Sequence, residues 1–188
     1  NITGAILFST SMKEVDMIAE DFNYFENKKD FVKEIHAAAD IHREAFPGKD
    51  LTWGDNLYNT FGITSPSKLF YELFKELRTV ILNYTDSKYI WMQSWINFHQ
   101  QNEVLHWHSH EWDFHGYITI EPHQTRTVFE NFEIVNEVGN IYIGPGDLYH
   151  KVIVDKKFDT PRITLGFDCH IIPLTQPNNT IGLIPIIR

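Results

Sequence analysis

The stretch Ser94–Gly116, SWINFHQQNEVLHWHSHEWDFHG, decides how the rest of the chain is read. It carries five of the ten histidines: His99, His106, His108, His110 and His115. Alternate side chains of an extended strand point the same way, so His108-Ser109-His110 places two imidazoles on one face, where a single metal ion can bridge them. A third imidazole, His150, follows Gly144-Pro145-Gly146-Asp147, a turn that reverses the chain and starts the next strand beside the earlier one. Alone, a His-x-His is as well explained by an exposed loop that happens to be histidine-rich. The distal His150 weighs against that.

Imidazole suits iron, zinc, copper or nickel, and three on one side of an ion leave the other side open to small molecules. That is the form of a catalytic centre. A structural zinc site asks for four protein ligands with thiolates among them, and the chain has one cysteine, Cys169.

Outward from this stretch the hydrophobic period is two. Strands are expected at Lys88–His99, His115–Ile120, Thr125–Glu130, Ile141–Gly144, Leu148–Val154, Arg162–His170 and Ile181–Ile187, separated by Glu121-Pro122, Gly139-Asn140, the Pro-Gly turn and Thr160-Pro161. Short strands without interleaved helices argue for an antiparallel sandwich or barrel. The N-terminal half is helical, apart from a short strand in GAILFS. One helix runs from Phe25 to Phe46, with Phe31, Ile35, Ala38, Ile41 and Phe46 at helical spacing, and ends at Pro47-Gly48. His36 and His42 on it read as solvated residues. A second follows Ser65-Pro66 as cap and first residue, with a stripe from Leu69 to Tyr84 that is core. The expected layout is a single domain over 1–188, with helical support at 10–86 and a β core at 88–188. The loop from Gly48 to Gly62 offers Trp53 and Tyr58 to a pocket mouth.

Sixteen basic against twenty-five acidic residues give a formal charge of −9 with no basic block, which opposes a phosphate backbone, so no nucleic-acid partner is expected. No membrane span or signal-peptide pattern is visible. A single cysteine fits a reducing compartment, and a cytoplasmic protein is the expectation. Arg162 and Thr164 share one strand face, opposite Ile163, Leu165 and Phe167. An inward guanidinium calls for an anion, either a structural carboxylate or a ligand's.

Taken in order, Ser94-Trp95-Ile96-Asn97, His108-Ser109-His110, His115-Gly116-Tyr117-Ile118, Gly144–His150, Arg162-Ile163-Thr164 and Phe167-Asp168 resemble the Fe(II)- and 2-oxoglutarate-dependent oxygenases. More narrowly, they are similar to the 2-oxoglutarate–Fe(II) oxygenases of marine bacteria and their phages. The likeness spans about residues 88 to 170, and GAILFST is similar to that group's first strand. It implies a double-stranded β-helix, or jelly roll, with helices packed on one sheet. It implies Fe(II) held by His108, His110 and His150. Arg162, helped by Thr164, would bind the far carboxylate of 2-oxoglutarate, with Tyr117 and Asn97 lining that pocket. The reaction implied is hydroxylation of a C–H bond of a small-molecule or peptide substrate by O2, releasing succinate and CO2.

One departure stands out, because most of the superfamily has a carboxylate where this chain has His110. Asp113 is the alternative third ligand, reachable only if the chain turns or bulges there, with Glu111 next. His106 shares strand parity with both ligands of the pair. His115 and Trp112 are candidate substrate contacts. Two other readings compete. A cupin-type metal enzyme shares the barrel and histidines but leaves Arg162 without a task. A non-catalytic jelly-roll module would use Trp91, Trp95, Trp107 and Trp112 to stack on a sugar or peptide.

Overall fold

The computed structural model describes residues 6–8, 24–45, 47, 59–64, 67–101, 103, 106–171 and 182–188. Among the described residues, three helices, α1 (Tyr24–Ala45), α2 (Thr60–Ile63) and α3 (Lys68–Thr85), lie in the first half. Strand β1 (Ile6–Phe8) precedes them. The second half is β2 (Tyr89–His99), β3 (Phe114–Glu121), β4 (Thr125–Phe129), β5 (Glu133–Val135), β6 (Ile141–Pro145), β7 (His150–Val154), β8 (Arg162–His170) and β9 (Ile184–Ile187).

The strands form two antiparallel sheets, one of six in the order β1-β6-β3-β8-β2-β9 and one of three in the order β5-β4-β7. An isolated antiparallel bridge between His108 and His150 extends the smaller sheet beyond β7. From β2 onward the chain therefore alternates between sheets: β2 in the large one, His108 against the small one, β3 back in the large, β4 and β5 in the small, β6 large, β7 small, β8 large. That alternation is a jelly roll.

Strand parity sorts the large sheet into two chemically different faces. On β2, Ile90, Met92, Ile96 and Phe98 alternate with Trp91, Gln93, Trp95, Asn97 and His99. On β8, Ile163, Leu165, Phe167 and Cys169 alternate with Arg162, Thr164, Gly166, Asp168 and His170. The apolar set joins one buried cluster with Ile118, Ile141 and Ile143, with Phe31 and Ile35 of α1, and with Phe70, Leu73, Leu77 and Ile81 of α3. The helices thus cover one face of the sheet, and that is where the main core sits. A smaller cluster of Tyr117, Phe129, Ile134 and Tyr142 closes one end of the interior.

Several expectations need correction. The cap of α3 is Ser67, whose Oγ accepts the Phe70 N–H at 3.2 Å, so the helix begins past Ser65-Pro66. Ser67 also donates to Glu34 of α1. Phe31, Ile35 and Ala38 of α1 are buried as expected and Ala39 joins them, but Ile41 is 57% exposed, so the packed stripe stops short of it; Phe46 lies outside the described residues. Strand β5 falls in a stretch expected to be connecting chain; with three residues and one buried side chain it has too little pattern to read. Part of the expected loop before Gly62 is the short helix α2, capped by Asn59, which accepts the Phe61 N–H at 3.1 Å. Trp53 and Tyr58 lie outside the described residues. No helix is long and apolar enough to cross a membrane among the described residues.

The turn after β6 locks the His-x-His segment in place. Gly146 donates its N–H to the Asp113 carbonyl at 3.1 Å and accepts the His110 N–H at 2.8 Å. A Cβ on Gly146 would sit 1.7 Å from the Trp112 carbonyl oxygen, a backbone atom that cannot swing aside. Gly146→Ala is therefore expected to destabilise the protein by roughly 3 kcal/mol, the upper range of an overpacking change. Urea denaturation measures it, and an unchanged midpoint would contradict this account of the turn.

Candidate metal centre

Three strand ends bring the histidines together. His108 pairs with His150 through both backbone bonds, His108 N to His150 O at 3.0 Å and His150 N to His108 O at 2.9 Å. His110 follows two residues on, held by the Gly146 carbonyl. Among the described residues, His108, His110 and His150 each offer a donor atom within 4.8 Å of the others, close enough for one ion to hold all three. The ring of His108 lies 4.2 Å from that of His150 and 5.4 Å from that of His110, centroid to centroid.

Hydrogen bonding decides which nitrogen each ring presents. Nδ1 of His108 lies 2.8 Å from the His106 carbonyl, and Nδ1 of His150 lies 3.0 Å from the Leu148 carbonyl. A carbonyl can only accept, so each Nδ1 carries the proton and each Nε2 keeps its lone pair. Nδ1 of His110 stands 2.8 Å from Oδ1 of Asp168, a buried carboxyl on the inner face of β8. His108 and His150 are thus anchored at Nδ1 by backbone carbonyls and His110 stands at ion-pair distance from Asp168, the kind of outer-shell support that metal-bound histidines use. Burial pushes the His150 pKa down to about 3 and lowers that of His108, against the opposing pull of their carbonyl partners. Neutral imidazole is the form that binds metal. The donor set therefore fits a borderline divalent ion.

The same residues border a cavity of about 470 Å³, counted to its open mouth. Trp95, Asn97, Tyr117, Arg162 and Thr164 line it with His115. Trp95 Nε1 donates to Asn97 Oδ1 at 3.0 Å, and Asn97 Nδ2 donates to Thr164 Oγ1 at 3.0 Å. The Trp95 ring lies over Gly166, where a Cβ would come within 2.6 Å of it. Tyr117 donates to Thr127 Oγ1 at 2.9 Å in a buried network with Asn136, and burial lifts its pKa to about 12.

Arg162 is 4% exposed. Its Nε has no hydrogen-bond partner, and no carboxylate among the described residues forms an ion pair with the guanidinium. Burial pulls its pKa down to about 10, although Tyr117 acts in the opposite sense. Of the two readings of this arginine, the structural ion pair is absent among the described residues.

Other expected site residues lie elsewhere. Asp113, the alternative third ligand, has Oδ2 at 2.6 Å from His170 Nδ1 and accepts the Ile171 N–H at 2.8 Å, so it is committed to the end of β8. Trp112 packs its edge on His170, centroids 5.8 Å apart, and does not line the cavity. His106 is exposed and acts through its carbonyl alone. Exposed His36 lies beside Phe98, ring centroids 5.1 Å apart and tilted by 35°, on the helix-covered face of the large sheet. Two residues have no place in the metal-site reading of the sequence, Asp168, which has no assignment there, and Trp95, which is named only for the stacking surface of the non-catalytic reading. Both stood in the quoted motifs and share strand parity with Arg162 and Asn97, the signal that could have found them.

No family model matches this chain, and no curated protein does. Among solved structures, a cupin-2 domain containing protein from Shewanella frigidimarina NCIMB 400 is similar at 19% identity, with a TM-score of 0.32, over 40% of this chain and 68% of that one. The strand register and the imidazoles, rather than so slight an overlap, carry the description of fold and site.

Two outcomes follow from the anchoring. Asp168→Ala is expected to lower the affinity for Co(II) by about 10- to 100-fold, the usual loss when an outer-shell partner is removed; titration calorimetry reads it, and unchanged affinity would refute the support role. The second concerns acid. With folded pKa values below the unfolded value of 6.5, His108 and His150 stay neutral in the fold while the unfolded chain takes up protons. Their contribution is intact above pH 6.5 and is lost as pH falls toward about 3, whereas the raised carboxyl of Asp168 opposes the loss at the acid end. Urea midpoints of metal-free protein are expected to fall through that window, and less steeply in His150→Gln.

Proposed function

We propose that this protein is a non-haem Fe(II)- and 2-oxoglutarate-dependent oxygenase that hydroxylates a C–H bond of a small-molecule or peptide substrate. The observation that carries the reading is Arg162: a buried guanidinium, without an ion-pair partner among the described residues, lining the same cavity as three convergent imidazoles. A buried charge with no counterion is costly, and an anionic ligand entering the cavity removes that cost. A dicarboxylate suits both ends, because one carboxylate can chelate an ion on the imidazoles while the other reaches the guanidinium fork.

When bound, Fe(II) with 2-oxoglutarate supplies the activation of O2, with succinate and CO2 as co-products. The chain's own residues bind and orient. His108, His110 and His150 hold the ion through Nε2, and being neutral they leave its full charge for a dianion to offset. Arg162 offers a bidentate grip. Thr164 accepts from Asn97, which leaves its own O–H free to donate beside the guanidinium. Trp95, tied to Asn97, forms an aromatic wall next to His110, centroids 6.2 Å apart. Tyr117, kept protonated by burial and bonded toward Thr127, closes the inner end without adding a charge.

A cupin-type metal enzyme that does not use 2-oxoglutarate remains the competing reading, and Arg162 separates the two. Arg162→Ala is expected to weaken 2-oxoglutarate binding by at least about 30-fold, as for truncation of a buried charge partner, while Fe(II) affinity stays within about threefold. His150→Ala is expected to abolish metal retention. Anaerobic titration with Fe(II) and 2-oxoglutarate, followed by succinate release in air, measures both. Parallel loss of metal and 2-oxoglutarate in the arginine variant, or no succinate from the unaltered protein, would sink the assignment.

A further inference from the structure

A fourth histidine carries the same hydrogen-bonding signature as the three that converge. His115, on the inner face of β3, is 2% exposed. Its Nδ1 lies 2.8 Å from the Pro145 carbonyl, so that nitrogen is protonated and Nε2 is left with a lone pair. Nε2 is buried and has no hydrogen-bond partner. The ring lies parallel to those of His110 and His150, with interplanar angles of 1° and 6° and centroids 4.7 Å and 4.6 Å away. Such an acceptor is costly to bury unless a donor or a cation meets it.

The possible partners of this nitrogen are few. The wall around it holds other imidazoles, each with Nδ1 already committed and only a lone pair to offer at Nε2. Among the described residues no side-chain or backbone donor meets it. A bare lone pair among lone pairs is repelled by its neighbours, whereas a cation placed among them satisfies all at once. The other three donors already fall within 4.8 Å of one another, and His115 stands outside that set on its border.

We propose that His115 is a fourth nitrogen donor to the ion on which His108, His110 and His150 converge. The inference rests on the metal reading of this site and is made for the ion without its organic co-substrate: a six-coordinate ion that also takes chelating 2-oxoglutarate and O2 has room for three imidazoles only, so His115 would leave it then. Coordination is by the neutral ring at Nε2, with the Nδ1 proton kept on the Pro145 carbonyl, so no proton is released. Four nitrogens leave two positions of an octahedral ion for exogenous ligands and favour a borderline metal over a hard one.

The number of ligating imidazoles can be counted in the unaltered full-length chain. In protein carrying ¹⁵N-labelled histidine and loaded with Co(II), each ring bound through Nε2 yields one strongly shifted, solvent-exchangeable Nδ1–H resonance. Four such resonances are expected, and His115→Gln is expected to lose one, with the Co(II) dissociation constant rising about tenfold. Three resonances in the unaltered protein, the same three persisting in His115→Gln, would overturn the proposal; the oxygenase reading would survive if 2-oxoglutarate then perturbs those three. Absence of any shifted resonance would overturn both. The count in the unaltered chain decides even if the variant fails to fold.

Discussion

Two backbone hydrogen bonds between His108 and His150 are the contact on which the site depends. They pair a segment after β2 with the start of β7, so two imidazoles far apart in the chain emerge side by side from one edge of the smaller sheet. The Gly146 carbonyl then takes the His110 N–H and brings in the third ring. The Asp113 carbonyl accepts from Gly146 in return, so the ligand segment and the turn brace each other. Residues 106–113 form no strand of their own, and beyond these backbone bonds they are tied by side chains, His110 to Asp168 and Asp113 to His170 and the Ile171 N–H. Backbone bonds are well suited to this, because they hold position without consuming the side chains that do the chemistry.

The jelly roll separates stability from function by strand parity. Facing the helices, the large sheet shows Ile, Leu, Met and Phe, and buries them in the main cluster with α1 and α3. Facing inward, the same strands carry Asn97, His115, Arg162, Thr164 and Asp168, all buried. Each inward polar group costs free energy to bury, and most are compensated in pairs or chains: Trp95 with Asn97 and Thr164, His110 with Asp168, Tyr117 with Thr127 and Asn136. Arg162 Nε and His115 Nε2 are the exceptions within the cavity wall. The two are of opposite character, a cationic donor and a lone pair.

Anchoring at Nδ1 also sets the electrostatics of the centre. Backbone carbonyls from His106 and Leu148 and the carboxyl of Asp168 hold three rings in one tautomer. Burial then keeps His108 and His150 neutral at physiological pH, so the rings need no deprotonation to accept an ion. Asp168 places a carboxyl behind His110 instead of on the metal. An ionised carboxylate in that place would raise the basicity of the His110 ring toward a bound ion.

Much of this was legible in the residues themselves. The switch from a helical period to a period of two near Asp86 located the β half, and alternation along β2 and β8 told the polar face from the apolar one, because a strand's side-chain period is fixed by backbone geometry. His108, His110, His150 and Arg162 could be named for the same reason: their chemistry is unusual for inward positions, and parity is a local property. What only the tertiary structure decided is non-local. Whether Asp113 or His110 faces the triad depends on the path of a segment with no regular structure, and that path is set by hydrogen bonds to Gly146 and His150. The roles of Asp168 and His115 depend on which inward residues of β3 and β8 stand opposite each other, as His115 and Asp168 do in the paired register. Register is a property of two strands together, so neither strand's sequence states it alone.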